Sequence, residues 1–78
     1  MQSVWDIPKG KTAEISGLDQ SLSKDVVLRL HDMGFSPAQQ VLCLQRGFLG
    51  GPVVVAVADA VFTLERQIAS CILIAPAA

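Results

Sequence analysis

The chain has 78 residues, of which 51% are hydrophobic, 5% aromatic and 17% charged, so it forms one domain near the lower size limit for a single core, built from aliphatic side chains. Six Lys and Arg stand against seven Asp and Glu, and the basic residues Lys9, Lys11, Lys24, Arg29, Arg46 and Arg66 are scattered, which argues against nucleic acid binding through phosphate neutralisation. No apolar run approaches the roughly 20 residues of a membrane span, and the first residues lack the apolar centre of a signal peptide, so a cytoplasmic protein without direct membrane insertion is expected.

From the N-terminus, Trp5 reads as an aromatic lid on one end of the core, and Ile7-Pro8-Lys9-Gly10 as a turn. Thr12 to Leu18 alternates apolar and polar residues as a half-buried strand does. The segment from Ser21 to Met33 is the one good helix: Ser21 or Ser23 caps it, and Leu22, Val26, Leu30 and Met33 recur on one face. Gly34 takes the position after the helix where a left-handed backbone satisfies the last carbonyls, Phe35 supplies the accompanying apolar contact, and Pro37 prevents continuation.

Val41 to Arg46 is a second strand, apolar on both faces at first and more polar near its end. The stretch Gly47-Phe48-Leu49-Gly50-Gly51-Pro52 that follows is not a phosphate loop, because no helix and no Lys with Ser or Thr succeed its glycines. It is a turn, in which Gly50 and Gly51 allow positive φ and Pro52 opens the next strand. Val53 to Val57, a short link at Ala58-Asp59-Ala60, and Val61 to Leu64 read as a hairpin. Glu65 to Ala69 has room for a helical turn, Ser70 to Ile74 is a last strand, and residues 75–78 are expected to fray. Five short strands and one inserted helix predict an all-β fold, a small barrel closed on itself.

Cys43 and Cys71 stand far apart among apolar residues with no CxxC and no second His, so they read as small buried hydrophobes. His31 reads as a solvated helix residue, since a ferrous site would need several converging ligands. No catalytic residues, resident metal or cofactor are expected, because no serine, cysteine or carboxylate stands in an arrangement that activates it.

The series Arg29-Leu30-His31-Asp32-Met33-Gly34-Phe35-Ser36-Pro37, then Leu49-Gly50-Gly51-Pro52-Val53, then Leu64-Glu65-Arg66 and Ala69 to Ile74, resembles the ferrous iron transport protein A (FeoA) family. Its most specific part is the ordered pair of motifs RLxxMGxxP and LGGP, and the likeness runs from about Trp5 to Ile74. The sequence departs at Ala38, where the family often has glycine, and at Asp59-Ala60, which replaces a hairpin turn that usually contains glycine.

The resemblance implies an SH3-like β-barrel over residues 1–78. It also implies an accessory or regulatory protein of bacterial ferrous iron uptake, acting by interaction with the cytosolic part of the membrane ferrous iron transporter FeoB. The implied contact surfaces are the helix around Leu30 and Met33 and the loop with Phe48, Leu49, Gly50, Gly51 and Pro52. Two other readings compete: a small metal-handling protein that binds ferrous or other divalent ions through His31 and acidic residues, and a generic SH3-like interaction module. A free strand edge or an apolar patch would also allow a homo-oligomer.

Overall fold

The computed structural model describes residues 2–75, with the side chain of Phe48 left out of that description. Of the tail expected to fray, Pro76, Ala77 and Ala78 lie outside the described residues. After a 3-10 turn at Val4–Asp6, the elements are β1 (Thr12–Leu18), α1 (Lys24–Met33), β2 (Gln40–Arg46), a second 3-10 turn at Phe48–Gly50, β3 (Val53–Val57), β4 (Ala60–Leu64), α2 (Arg66–Ala69) and β5 (Ile72–Ile74). The strands form one antiparallel sheet in the order β4-β3-β2-β1-β5.

The predicted closed barrel is not formed, because the sheet does not join β4 to β5. The edge of β5 away from β1 is taken by the N-terminal segment: Ser3 bridges Leu73, and the Ile74 amide donates to the Gln2 carbonyl at 3.2 Å. The N-terminal segment thus lies where β4 would have to pair, and the outer edge of β4 stays unpaired among the described residues. The last strand is also shorter than its apolar run suggests, since Ser70 and Cys71 are held in the turn that ends α2.

Helix α1 begins where a serine ends the extended chain: Ser23 Oγ accepts from the Val26 amide at 3.3 Å. It stops at Gly34, whose φ of 104° lets its N–H reach the His31 carbonyl, while the Phe35 N–H returns to Leu30. Phe35 then drops into the core against Phe62, with ring centroids 5.6 Å apart and planes tilted by 51°. A Cβ on Gly34 would lie 3.4 Å from the Ala58 Cβ, so the helix end is seated on the β3–β4 hairpin.

The core is aliphatic apart from Phe35 and Cys43, with Ile15, Val41, Cys43, Val53, Val55, Val57 and Ile72 at its centre. Strand β2 supplies it through a bulge. Val41 and Cys43 oppose Val57 and Val55, then Leu44 is skipped, and Gln45 and Arg46 oppose Val54 and Val53. Side chains alternate strictly along a strand, so one extra residue exchanges the faces of everything beyond it. The bulge therefore turns Arg46 onto the core side, in the row of Val53 and Leu64. The buried Cys43 thiol spans the irregularity, 3.8 Å from the Gln45 carbonyl it donates to.

Turned inward at the end of the sheet, Arg46 reaches the N-terminal turn: one guanidinium nitrogen donates to the Trp5 carbonyl at 2.6 Å and the Ile7 carbonyl at 2.9 Å. Its carbon sits 5.2 Å from the Trp5 ring centroid. The half-buried indole packs against the core as the expected lid, and Arg46 holds it there.

Three non-glycine residues have positive φ: Ala38 at 75°, Leu49 at 54° and Ala58 at 54°. Ala38 carries strain directly after Pro37. In the hairpin the strain falls on Ala58, one residue ahead of the Asp59-Ala60 pair. A left-handed L-residue costs about 1–2 kcal/mol, and the extra unfolded-state freedom of glycine takes back roughly 0.5–1. Ala38→Gly is accordingly expected to stabilise the fold by roughly 0.5–1 kcal/mol, read as a rise in thermal midpoint of a few degrees; an unchanged or lower midpoint would contradict the strain. Arg46→Gln, which removes two charge-assisted hydrogen bonds, is expected to cost about 2 kcal/mol in urea unfolding and to shift Trp5 emission to the red as the lid loosens.

Candidate functional site

Leu30 is 3% exposed. Its stripe position takes the side chain into the core. Met33 is half-buried and also packs on the core. The exposed leucine of α1 is Leu28, at 63%, on the polar side of the helix. The signal for it was present in the sequence, as an apolar residue off the stripe of Val26, Leu30 and Met33; Leu22, read as the first member of that stripe, precedes the helix.

The glycine-rich loop is built differently. Gly47 is pressed against the returning chain, so that a Cβ there would collide with the Gly51 backbone and the Pro52 carbonyl oxygen. Glycine is required at the pinch. Beyond it the 3-10 turn Phe48–Gly50 breaks helical geometry at Leu49, whose φ of 54° and ψ of 44° are left-handed, and Gly50 follows at φ 79°. Leu49 is 89% exposed, Gly50 and Pro52 are exposed, and Gly51 is half-buried. The Phe48 side chain, proposed from sequence as part of this surface, lies outside the described residues. Of the two glycines expected to need positive φ, Gly50 has it, and the second such position is Leu49.

The two predicted surfaces do not come together. The loop leaves the sheet beside the rung of Arg46, Val53 and Leu64, whereas the Gly34 end of α1 sits on Val57 and Ala58 at the other end of β3. Four residues of strand, about 13 Å at ~3.3 Å per residue, separate them. What the fold does bring to the loop end is Trp5 with two arginines. Arg66, at the start of α2, places its guanidinium carbon 5.5 Å from the same indole centroid that Arg46 faces.

On the other side, His31 is exposed and lines a groove of about 380 Å³ with Asp19, Leu22, Val27 and Pro37. The Asp19 carboxylate accepts from the Ser21 amide at 2.8 Å, and that hydrogen bond, with help from the Ser21 hydroxyl, holds its pKa below the ordinary value. Among the described residues no three His, Cys, Asp or Glu side chains converge as a metal site would require. A wider open groove of about 650 Å³ runs past Ile7, Pro8, Lys11, Glu14 and Gln40. No helix among the described residues is long and apolar enough to cross a membrane.

Comparison with known proteins agrees with this geometry. In structure the chain is similar to a zinc-complexed FeoA of Stenotrophomonas maltophilia, a prokaryotic SH3 domain protein suggested to act as a ferrous iron transport activating factor, with 21% identity, 96% of this chain and 91% of that one covered, and a TM-score of 0.84. It is similar to iron(II) transport protein A of Clostridium thermocellum at 26% identity, with 94% of this chain but 44% of that one covered and a TM-score of 0.84. A manganese-dependent transcriptional repressor shares the fold over 39% of its length, at 20% identity with a TM-score of 0.79. No curated protein matches the sequence significantly. The FeoA domain family model matches residues 3–76, which takes in the helix stop, the glycine loop and all five strands, and the chain belongs to the FeoA family.

Proposed function

We propose that this protein is an accessory, regulatory component of ferrous iron uptake in the bacterial cytoplasm, and that it works by docking the loop of residues 47–52 onto the cytosolic part of the membrane transporter FeoB. Leu49 carries the reading. A leucine in left-handed conformation costs about 1–2 kcal/mol, and at 89% exposure its side chain returns almost none of that through packing. Strain without packing is what a recognition residue shows before its partner arrives.

The pinch at Gly47 adds to this, because a loop closed on its own base presents Leu49 with little freedom to lose on binding. No bond is made or broken in this reading. Membership of a family associated with ferrous iron transport supports the choice of partner.

An amide NMR titration with the soluble cytosolic domain of the transporter from the same organism tests it. Saturable shifts are expected around residues 47–52. Burying one leucine is worth about 1.5–3 kcal/mol, so Leu49→Gly is expected to weaken binding by at least tenfold while raising stability by up to about 1 kcal/mol. Leu28→Ala is expected to bind as the parent does. Absence of shifts at high partner concentration, or sensitivity at Leu28 in place of Leu49, would refute the proposal.

A further inference from the structure

We propose that Trp5, Arg46 and Arg66 form a docking point for carboxylate side chains of an acidic segment on the partner, beside the apolar contact at Leu49. The inference deepens the reading of residues 47–52 as a docking loop and rests on it for the partner's identity. Its own ground is a pair of like charges that no carboxylate neutralises among the described residues. The guanidinium carbons of Arg46 and Arg66 lie 5.2 Å and 5.5 Å from the centroid of one indole, carried there by a strand and a helical turn that approach from different parts of the chain.

The carboxylates nearest in sequence are not spent on this pair. Asp6 accepts from the Ser3 amide at 2.9 Å and the Ser3 hydroxyl at 3.1 Å, and Glu65 is exposed and makes no side-chain bond at the start of α2. Arg46 donates to two carbonyls, which orient it without neutralising it. A chain with a formal net charge of −1 thus gathers two positive charges at one end, which attracts an anion rather than repelling it.

The chemistry favours carboxylates on a peptide. A guanidinium held against an aromatic ring keeps its N–H edge for an acceptor, its planar fork matches a carboxylate bidentately, and the indole excludes water from one side. Leu49 is three residues beyond Arg46, within about 11 Å by the reach of the chain, so an occupant must offer an apolar side chain next to its acid. Inorganic phosphate offers none. Two arginines and one exposed leucine are also too few to hold the domain on an anionic membrane at ~1 kcal/mol per basic residue.

Trp5 is the single tryptophan, so its fluorescence reports the site directly. Titration with an N-acetylated Glu-Leu-Glu-Leu-Glu amide is expected to give a saturable emission change that weakens at least tenfold in Arg66→Gln and less in Arg66→Lys, and that fades with salt. The Gln-Leu-Gln-Leu-Gln counterpart, inorganic phosphate and phosphatidylglycerol vesicles are expected to give no saturable response. Equal responses to the Glu and Gln peptides, no response to the Glu peptide, indifference to Arg66→Gln, or a response to phosphate or vesicles alone would overturn the inference. Titrating Arg66→Gln with the transporter's cytosolic domain separates it from the docking reading. If that variant binds like the parent while Leu49→Gly does not, the acidic contact falls and the loop stands; if the parent itself does not bind, the loop reading falls whatever the peptide does.

Discussion

One skipped residue in β2 organises the loop end of this domain. Because Leu44 bulges out between Cys43 and Gln45, Arg46 lies in the row of Val53 and Leu64 and faces the core, where without the bulge it would face solvent. From there it can hold two carbonyls of the N-terminal turn and the Trp5 ring. Trp5 covers one end of the core, the residues before it occupy the free edge of β5, and the sheet has no need to close. A buried thiol at Cys43 braces the bulge, so the cysteine that reads as a small hydrophobe also serves the backbone.

The opposite end is sealed by other means. There the Gly34 stop turns Phe35 into the core against Phe62 and seats the helix on the β3–β4 hairpin. The two sequence motifs that mark the family thus belong to opposite ends of β3. The helix motif ends in buried structure and accounts for packing. The glycine motif begins at an exposed leucine with left-handed backbone, at the same end of the sheet as Arg46, and is the surface we propose for the partner. This division lets a small domain devote most of its aliphatic residues to the core and still present an apolar side chain at Leu49.

Much of the fold was legible because the local signals agree with one another. The stripe ending at Met33, the Gly34-Phe35 stop and the β-branched run from Val53 to Val57 each point to the element observed, while the cap, open between Ser21 and Ser23, falls on Ser23, so that Ser21 and Leu22 precede the helix. The closure of the sheet was not legible: which segment takes the edge of β5 depends on Gln2 and Ser3, whose identities carry no strand signal. The bulge was also hidden, since apolar residues on both faces of β2 leave its alternation ambiguous around Leu44. The loop was recognisable as a turn, but chain breakers suggest positive φ at the glycines and say nothing of Leu49. Leu30 was legible as a core residue from its place on the apolar stripe, and it is buried as that periodicity reads; its contact role came from the family resemblance alone. The meeting of Arg46 and Arg66 on Trp5 is a tertiary event and had no sequence signature.

On the proposed function, recognition occupies the loop end of the sheet and leaves the helix end alone. Hydrogen exchange of this protein, free and bound to the transporter's cytosolic domain, tests it most directly, since amides at both ends are read in one experiment. Exchange in residues 47–52 is expected to slow on binding, with residues 28–34 and the hairpin around Ala58 unchanged. Protection confined to residues 28–34 and that hairpin, with the glycine loop exchanging as fast as in the free protein, would contradict it.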